Sequence, residues 1–107
     1  MAHFTIRDLP LRKPGEGIEM RLIHGERMTF AYFTFTPGTP LPEHRHPHEQ
    51  IGTVVKGEME LTIAGETRAV AAGGAYHIPS GTVHSARCLK GPAEVIEVFA
   101  PAREDFR

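Results

Sequence analysis

The stretch HRHPHEQIGTVVKG, from His44 to Gly57, holds the densest set of side chains able to do chemistry. His44, His46, His48 and Gln50 stand at alternate positions and lead into an apolar run that ends at a glycine. In an extended chain, residues two apart share a face. This spacing therefore delivers nitrogen and oxygen donors to one side, which is half of a metal site. The other half has to come from later in the chain, and His84 in IPSGTVH is the candidate. Each residue also has a plainer reading. Histidines in a loop-to-strand segment can be ordinary surface residues, and Gln50 can hydrogen-bond a ligand histidine without ligating. Pro47 bends the chain and releases His48 to the pocket rim or the surface. Glu49 has the opposite parity and reads as a solvated or strand-pairing charge, and His3, His24 and His77 read as structural.

The elements that must position these residues are short strands. Ile18 to His24 alternates apolar and polar residues, as a half-buried strand does. MTFAYFTFT, Met28 to Thr36, is apolar on both faces, so it is expected to be covered on both sides, one of them by a second copy of the chain. Pro37 to Pro42 reads as a turn into the histidine segment, and Lys13 to Gly17 as a loop. Glu58–Ile63 alternates strictly and is joined by a hairpin turn at Ala64-Gly65-Glu66 to a strand at 67–71. Shorter strands follow at 75–78, 83–88 and 94–99. The only helical candidate is the tail, 102–107. Strands at short, regular spacing without an amphipathic helix predict an all-β sandwich or barrel.

Composition narrows the function classes. At 107 residues the chain is expected to form one domain, 1–107, with an N-terminal arm over about residues 1–13. Twelve basic against thirteen acidic residues leave a net charge of −1, so there is no basic excess to neutralise nucleic-acid phosphates or an anionic membrane. No basic leader precedes an apolar run, and no stretch approaches the roughly 20 apolar residues of a spanning helix. The single cysteine, Cys88, excludes an internal disulfide and reads as a small buried side chain. Together these predict a cytoplasmic protein.

The motifs resemble those of the cupin superfamily, small jelly-roll barrels also described as double-stranded β-helices. Its first motif sets a glycine, five residues, His-x-His, a carboxylate and a further glycine. Gly38, His44, His46 and Gly57 fall into register, with Gln50 at the carboxylate position. Its second motif is met by Gly73, Pro79, Gly81 and His84, with Cys88 where an asparagine is expected. The resemblance implies an all-β cupin barrel with at most a short terminal helix. It also implies one divalent transition metal, Zn, Ni, Mn or Fe, held inside by His44, His46, Gln50 and His84. Neutral imidazoles and an amide oxygen suit such ions and leave the metal's charge undiminished, which favours an anionic, oxygen-rich ligand.

The last strand adds a carboxylate. In EVIEVF, Glu94 to Phe99, Glu97 lies inside the barrel if Val95 and Phe99 face inward and is exposed if Ile96 and Val98 do. Periodicity alone leaves both open. The set HRHPHEQIG, KGE, IPSGTVH and EVFAPAREDF is similar to the small pectin-degradation cupins, which convert cyclic unsaturated uronates into linear keto forms. That family uses an aspartate two residues before a phenylalanine, followed by an arginine. The matching positions here are Glu97, Phe99 and Arg103. The resemblance implies Glu97 and Arg103 as catalytic residues and Phe99, with His48, in the substrate pocket. Ring opening or tautomerisation of a small anionic sugar derivative is the expected chemistry. Metal-dependent dioxygenase or cyclase chemistry on an enolisable compound, and non-catalytic binding of a small anion, are the alternatives. A homodimer is the expected assembly.

Overall fold

The computed structural model describes residues 2–107. It contains eight strands and two single 3-10 turns: β1 Arg12–Gly15, β2 Ile18–His24, β3 Thr29–Phe35, β4 Pro40–His44, β5 Glu49–Ile63, β6 Glu66–Ala71, β7 Ala75–Ile78 and β8 His84–Ala100, with the turns at Ile6–Asp8 and Glu104–Phe106. Two long strands, β5 and β8, pair with each other along most of their length. The first half of β5 also pairs with β7 and the second half of β8 with β3, which continues to β2 and β1. The other halves pair with β6 and β4. β5 and β8 thus pass from one layer to the other and close a jelly roll, the all-β barrel expected from the strand pattern.

The crossing is built by the register shifts that fall between Val54 and Met59 of β5. Gly57 lies among them with φ of 79°, and a Cβ there would come within 2.4 Å of the Lys90 carbonyl oxygen. A left-handed conformation and a close backbone approach together leave glycine as the unstrained residue.

Four local expectations are corrected. The segment 83–99 is one strand, β8, and not two, because its pairing with β5 continues on both sides of Gly91-Pro92. Arg12–Gly15 is a strand and not loop, and β4 begins at Pro40, inside the segment read as a turn. Both are edge strands, β1 pairing only with β2 and β4 only with β8, and an edge tolerates the missing proline N–H. The helical tail contracts to the turn Glu104–Phe106, and the N-terminal arm carries the turn Ile6–Asp8.

Inward residues of both layers form one core that includes Met20, Phe33, Met59, Leu61, Val95 and Phe99. In β3 burial alternates strictly, with Thr29, Ala31, Phe33 and Phe35 buried and Phe30, Tyr32 and Thr34 half-buried. Cys88 is buried, as expected, and its thiol faces the Phe35 carbonyl. No helix of the described residues is long and apolar enough to cross a membrane.

Candidate metal centre and its carboxylate

The histidines converge, although not by the geometry of one strand. Only Gln50 of the four alternate residues lies on β5; His44 closes β4, and His46 and His48 lie in the connection between the two. His44 stands in register with His84, the first residue of β8. Their ring centroids are 4.1 Å apart, and His46 lies 5.7 Å from His44 and 5.0 Å from His84. The loop carrying His46 is held by the Gly81 N–H, which donates to the His46 carbonyl at 2.9 Å, and by the Ser80 hydroxyl, which donates to the Pro47 carbonyl at 2.5 Å. The turn read as a motif at Pro79 to Gly81 therefore fixes the loop that carries His46, a candidate ligand on another strand connection.

Each of the three rings uses Nδ1 on a backbone carbonyl: His44 on Pro42 at 2.7 Å, His46 on His48 at 2.9 Å and His84 on Thr82 at 2.8 Å. A carbonyl can only accept, so Nδ1 carries the proton and Nε2 is left with its lone pair free, the tautomer and orientation typical of metal-ligating imidazoles. One ligand atom from each ring can lie within 4.8 Å of the other two. The His84 Nε2 and the Gln50 Oε1 are buried with no hydrogen-bond partner. Two orphaned acceptors beside two further free imidazole nitrogens fit a divalent cation, since such buried groups otherwise go unsatisfied.

Glu97 takes the inward option. Val95 and Phe99 are each 2% exposed while Val98 is 38% exposed, and Glu97 lines the central cavity. Gly52 of β5 and Ala31 of β3 flank it in register and leave it room. The Gln50 Nε2 and the Tyr76 hydroxyl both donate to its Oε2, each at 2.6 Å. Oε1 is thereby the oxygen left for a ligand. Tyr76 was not among the expected residues. It reaches Glu97 because its ring crosses Gly52, where a Cβ would come within 2.5 Å of it. The signals were present: Tyr76 shares parity with the inward Ile78, and a glycine inside a strand marks a close approach.

Arg103 is 8% exposed. Its guanidinium carbon lies 4.6 Å from the Phe99 ring centroid and 3.9 Å from that of Phe106, and its Nε and Nη2 donate to Asp105 at 3.0 and 2.8 Å. The Arg103 N–H donates to the buried Thr29 hydroxyl at 2.8 Å. Asp105 and Phe106 thus hold the arginine against the cavity, a role their sequence did not announce. Phe99 lines the cavity and lies 5.8 Å from the His46 ring. His48, expected in the substrate pocket, lies outside the set of residues lining the cavity; its ring packs edge-on to His46 at 5.5 Å. Glu49 pairs with His77 across strands at 2.7 Å, with both side chains half exposed, as its parity implied.

Burial and the Arg103 charge push His46 down from 6.5 to about 4, and burial also lowers His84. Burial raises Glu97, against the opposing effects of Tyr76, Gln50 and Arg103. Asp105 falls to about 2 through its hydrogen bonds to Arg103. The shifts at His46 and His84 both favour the neutral imidazole, the form that can ligate. Because the folded pKa of His46 lies below its unfolded value, the unfolded chain takes up the proton first. The stability that His46 contributes is full above about pH 6.5 and is lost as pH falls towards 4. An NMR titration of chelated protein should show the His46 ring unmoved until pH approaches 4, and a midpoint near 6.5 would contradict its burial.

The site and barrel define a cupin. The chain matches the Cupin_2 family (Cupin domain) over residues 31–99 and belongs to it. It is 29% identical over 106 residues to the pectin degradation protein KdgF of Dickeya dadantii (strain 3937), covering 97% of this chain and 96% of that protein. The solved structure of KdgF from Halomonas sp. superposes with a TM-score of 0.94 at 29% identity, covering 100% of this chain and 99% of that one. A second kind of relative is the HTH-type transcriptional regulator PuuR of Escherichia coli (strain K12), 34% identical over 92 residues and 80% of this chain. The chain spans half the length of that regulator.

Proposed function

We propose that the protein is a metal-dependent cupin that opens or tautomerises a small enolisable anion of the unsaturated-uronate kind. The observation that carries this is the carboxylate of Glu97, with Oε2 tied down by two donors and Oε1 free, beside a cluster of uncharged metal donors. The similarity to KdgF, along nearly the whole of both chains, supports it. His44, His46, His84 and Gln50 would hold a divalent ion, which would supply Lewis acidity at a substrate oxygen. Glu97 moves a proton between oxygen and carbon through Oε1, a general acid–base role for which a raised pKa is suited. Gln50 and Tyr76 keep that oxygen aimed. Arg103 places positive charge over the cavity and has Nη1 left for a substrate carboxylate. The test is ultraviolet absorbance of an unsaturated uronate with metal-loaded protein. Loss of the enol chromophore well above the spontaneous rate is expected, and no acceleration would remove the assignment.

The 34% identity to a transcriptional regulator favours a second reading, in which the same site binds a small ligand without turning it over. Glu97→Gln separates the two readings, as set out in the Discussion.

The assembly we propose is a homodimer through the outer face of the β2-β3-β8-β5 layer. Ile23, Phe30, Val98 and Ile51 stand side by side in register across these four strands, and Ile51 and Val98 are 58% and 38% exposed. An apolar row of this kind is self-complementary across a two-fold axis, as charges of one sign are not. Light scattering should read twice the chain mass at micromolar concentration. Ile51→Lys should shift it towards the monomer, and a monomeric unaltered protein would contradict the proposal.

A further inference from the structure

The cavity behind the histidines, about 900 Å3, changes character with depth. Strand register divides its wall into layers. Leu22, Ala31, Glu97, Gly52 and Tyr76 form one row across the first sheet, and His44 and His84 stand opposite one another in the second. Two residues further along each strand, about 7 Å at strand rise, or three on β4 where the register shifts, the rows are Met20, Phe33, Val95 and Val54 on one side and Leu41, Ala86 and Leu61 on the other. The next rows are Ile18, Phe35 and Ala93, facing Met59 and Cys88. The chemical groups of the candidate centre thus lie at the level of the histidines or at the one on its other side, where Gln50 pairs with Phe99 and Ile78, and the two levels behind them are apolar. Ile18, Met20, Phe33, Phe35, Met59 and Leu61 all line the same cavity.

Polar side chains return at the far end, where the Thr36 and Thr39 hydroxyls are bonded to each other at 2.7 Å. Glu16, in the turn between β1 and β2, is exposed at this end. A hydroxylated ring pushed into the middle would leave its hydroxyls without partners. The volume is also near the top of the range for pockets of drug-sized ligands, about 300–1,000 Å3, and larger than one sugar ring requires.

We propose that the ligand of this site is an amphipathic carboxylate, with an anionic, oxygen-rich head at the histidine level and an apolar alkyl or aryl body in the two layers behind it. This rests on the anion-binding part of the function proposed above and narrows its substrate class from a bare uronate to an enolisable acid carrying an apolar substituent. Val95, Phe33 and Leu61 then set specificity, since they meet the body and not the head.

Calorimetric binding of acetate, butyrate, hexanoate and octanoate to the protein carrying the metal with which it purifies tests this directly. Affinity is expected to rise along the series by up to roughly fourfold per added methylene, the gain from burying each in an apolar wall. Hexanoate is expected to bind more tightly than galacturonate, which has the same number of carbons. Val95→Phe, which fills the first apolar layer, should flatten the rise; where that variant does not fold, the series on the unaltered protein decides. A flat or falling series overturns the proposal. So does tighter binding of galacturonate than of hexanoate, or binding of hexanol as tight as that of hexanoate. Turnover of an unsaturated uronate with a flat series would leave the Lewis-acid reading standing and remove this one, and a rising series without uronate turnover would do the reverse.

Discussion

Glu97→Gln should lower turnover by about 10²-fold or more while leaving metal content and ligand affinity close to unchanged. The substitution keeps the shape of the side chain and its place between Gly52 and Ala31. It removes the ability to take and return a proton at Oε1. Tyr76 and Gln50 can still donate to the amide oxygen, so the cavity wall and the Gln50 Oε1 stay where they are. Loss of an acid–base group in this way is a transition-state effect, seen in kcat and kcat/KM together. A protein that only senses a small anion would show no such split, because its affinity would survive and there would be no turnover to lose. Unchanged turnover in Glu97→Gln would move the proton transfer to another group.

The second large effect is on the metal. At a hundredfold excess of metal over its dissociation constant, binding adds about 2.7 kcal/mol to stability. In a domain of this size each kcal/mol moves the melting temperature by roughly 4–8 °C, so chelation should lower Tm by some 10–20 °C. His84→Ala should abolish that difference. It removes one of the four donors, and with it the buried His84 Nε2 that has no protein partner. An unsatisfied buried group of this kind costs about 1–3 kcal/mol, so the chelated variant should be no less stable than its small loss of packing implies. Thermal melts of both proteins with and without chelator read the whole comparison. A melt of the unaltered protein that ignores chelation would argue against the centre.

How much of this was legible in the sequence depends on the kind of feature. The histidine cluster was readable because His44, His46 and His84 sit at fixed distances from glycines. Gly38, Gly57, Gly73 and Gly81 all have positive φ, so the motif spacing records backbone turns that have no other cheap residue. The parity argument picked out residues that do converge but by a different route, since His44 and His46 meet through the end of β4 and a loop, with Gln50 alone on β5. Strand limits failed at Pro14 and Pro40 because proline reads as a breaker, and only the sheet's edges, invisible in one dimension, make it tolerable. The direction of Glu97 was undecidable from EVIEVF, where both faces are apolar; pairing with Gly52 and Ala31 decided it. Tyr76 escaped because its parity with Ile78 and the glycine at 52 gain meaning only once β5 and β7 are known to pair, and Asp105 because it acts on a turn and carries no spacing rule.

The most direct measurement is the anomalous diffraction of crystals grown from metal-loaded protein, collected on both sides of the metal's absorption edge. One strong peak is expected per chain, bounded by the Nε2 atoms of His44, His46 and His84 at about 2.0–2.1 Å and by the Gln50 Oε1, with the Glu97 Oε1 facing the open side. A peak elsewhere in the chain, or no peak at this cluster in protein shown to contain metal, would contradict the site on which the proposed chemistry stands.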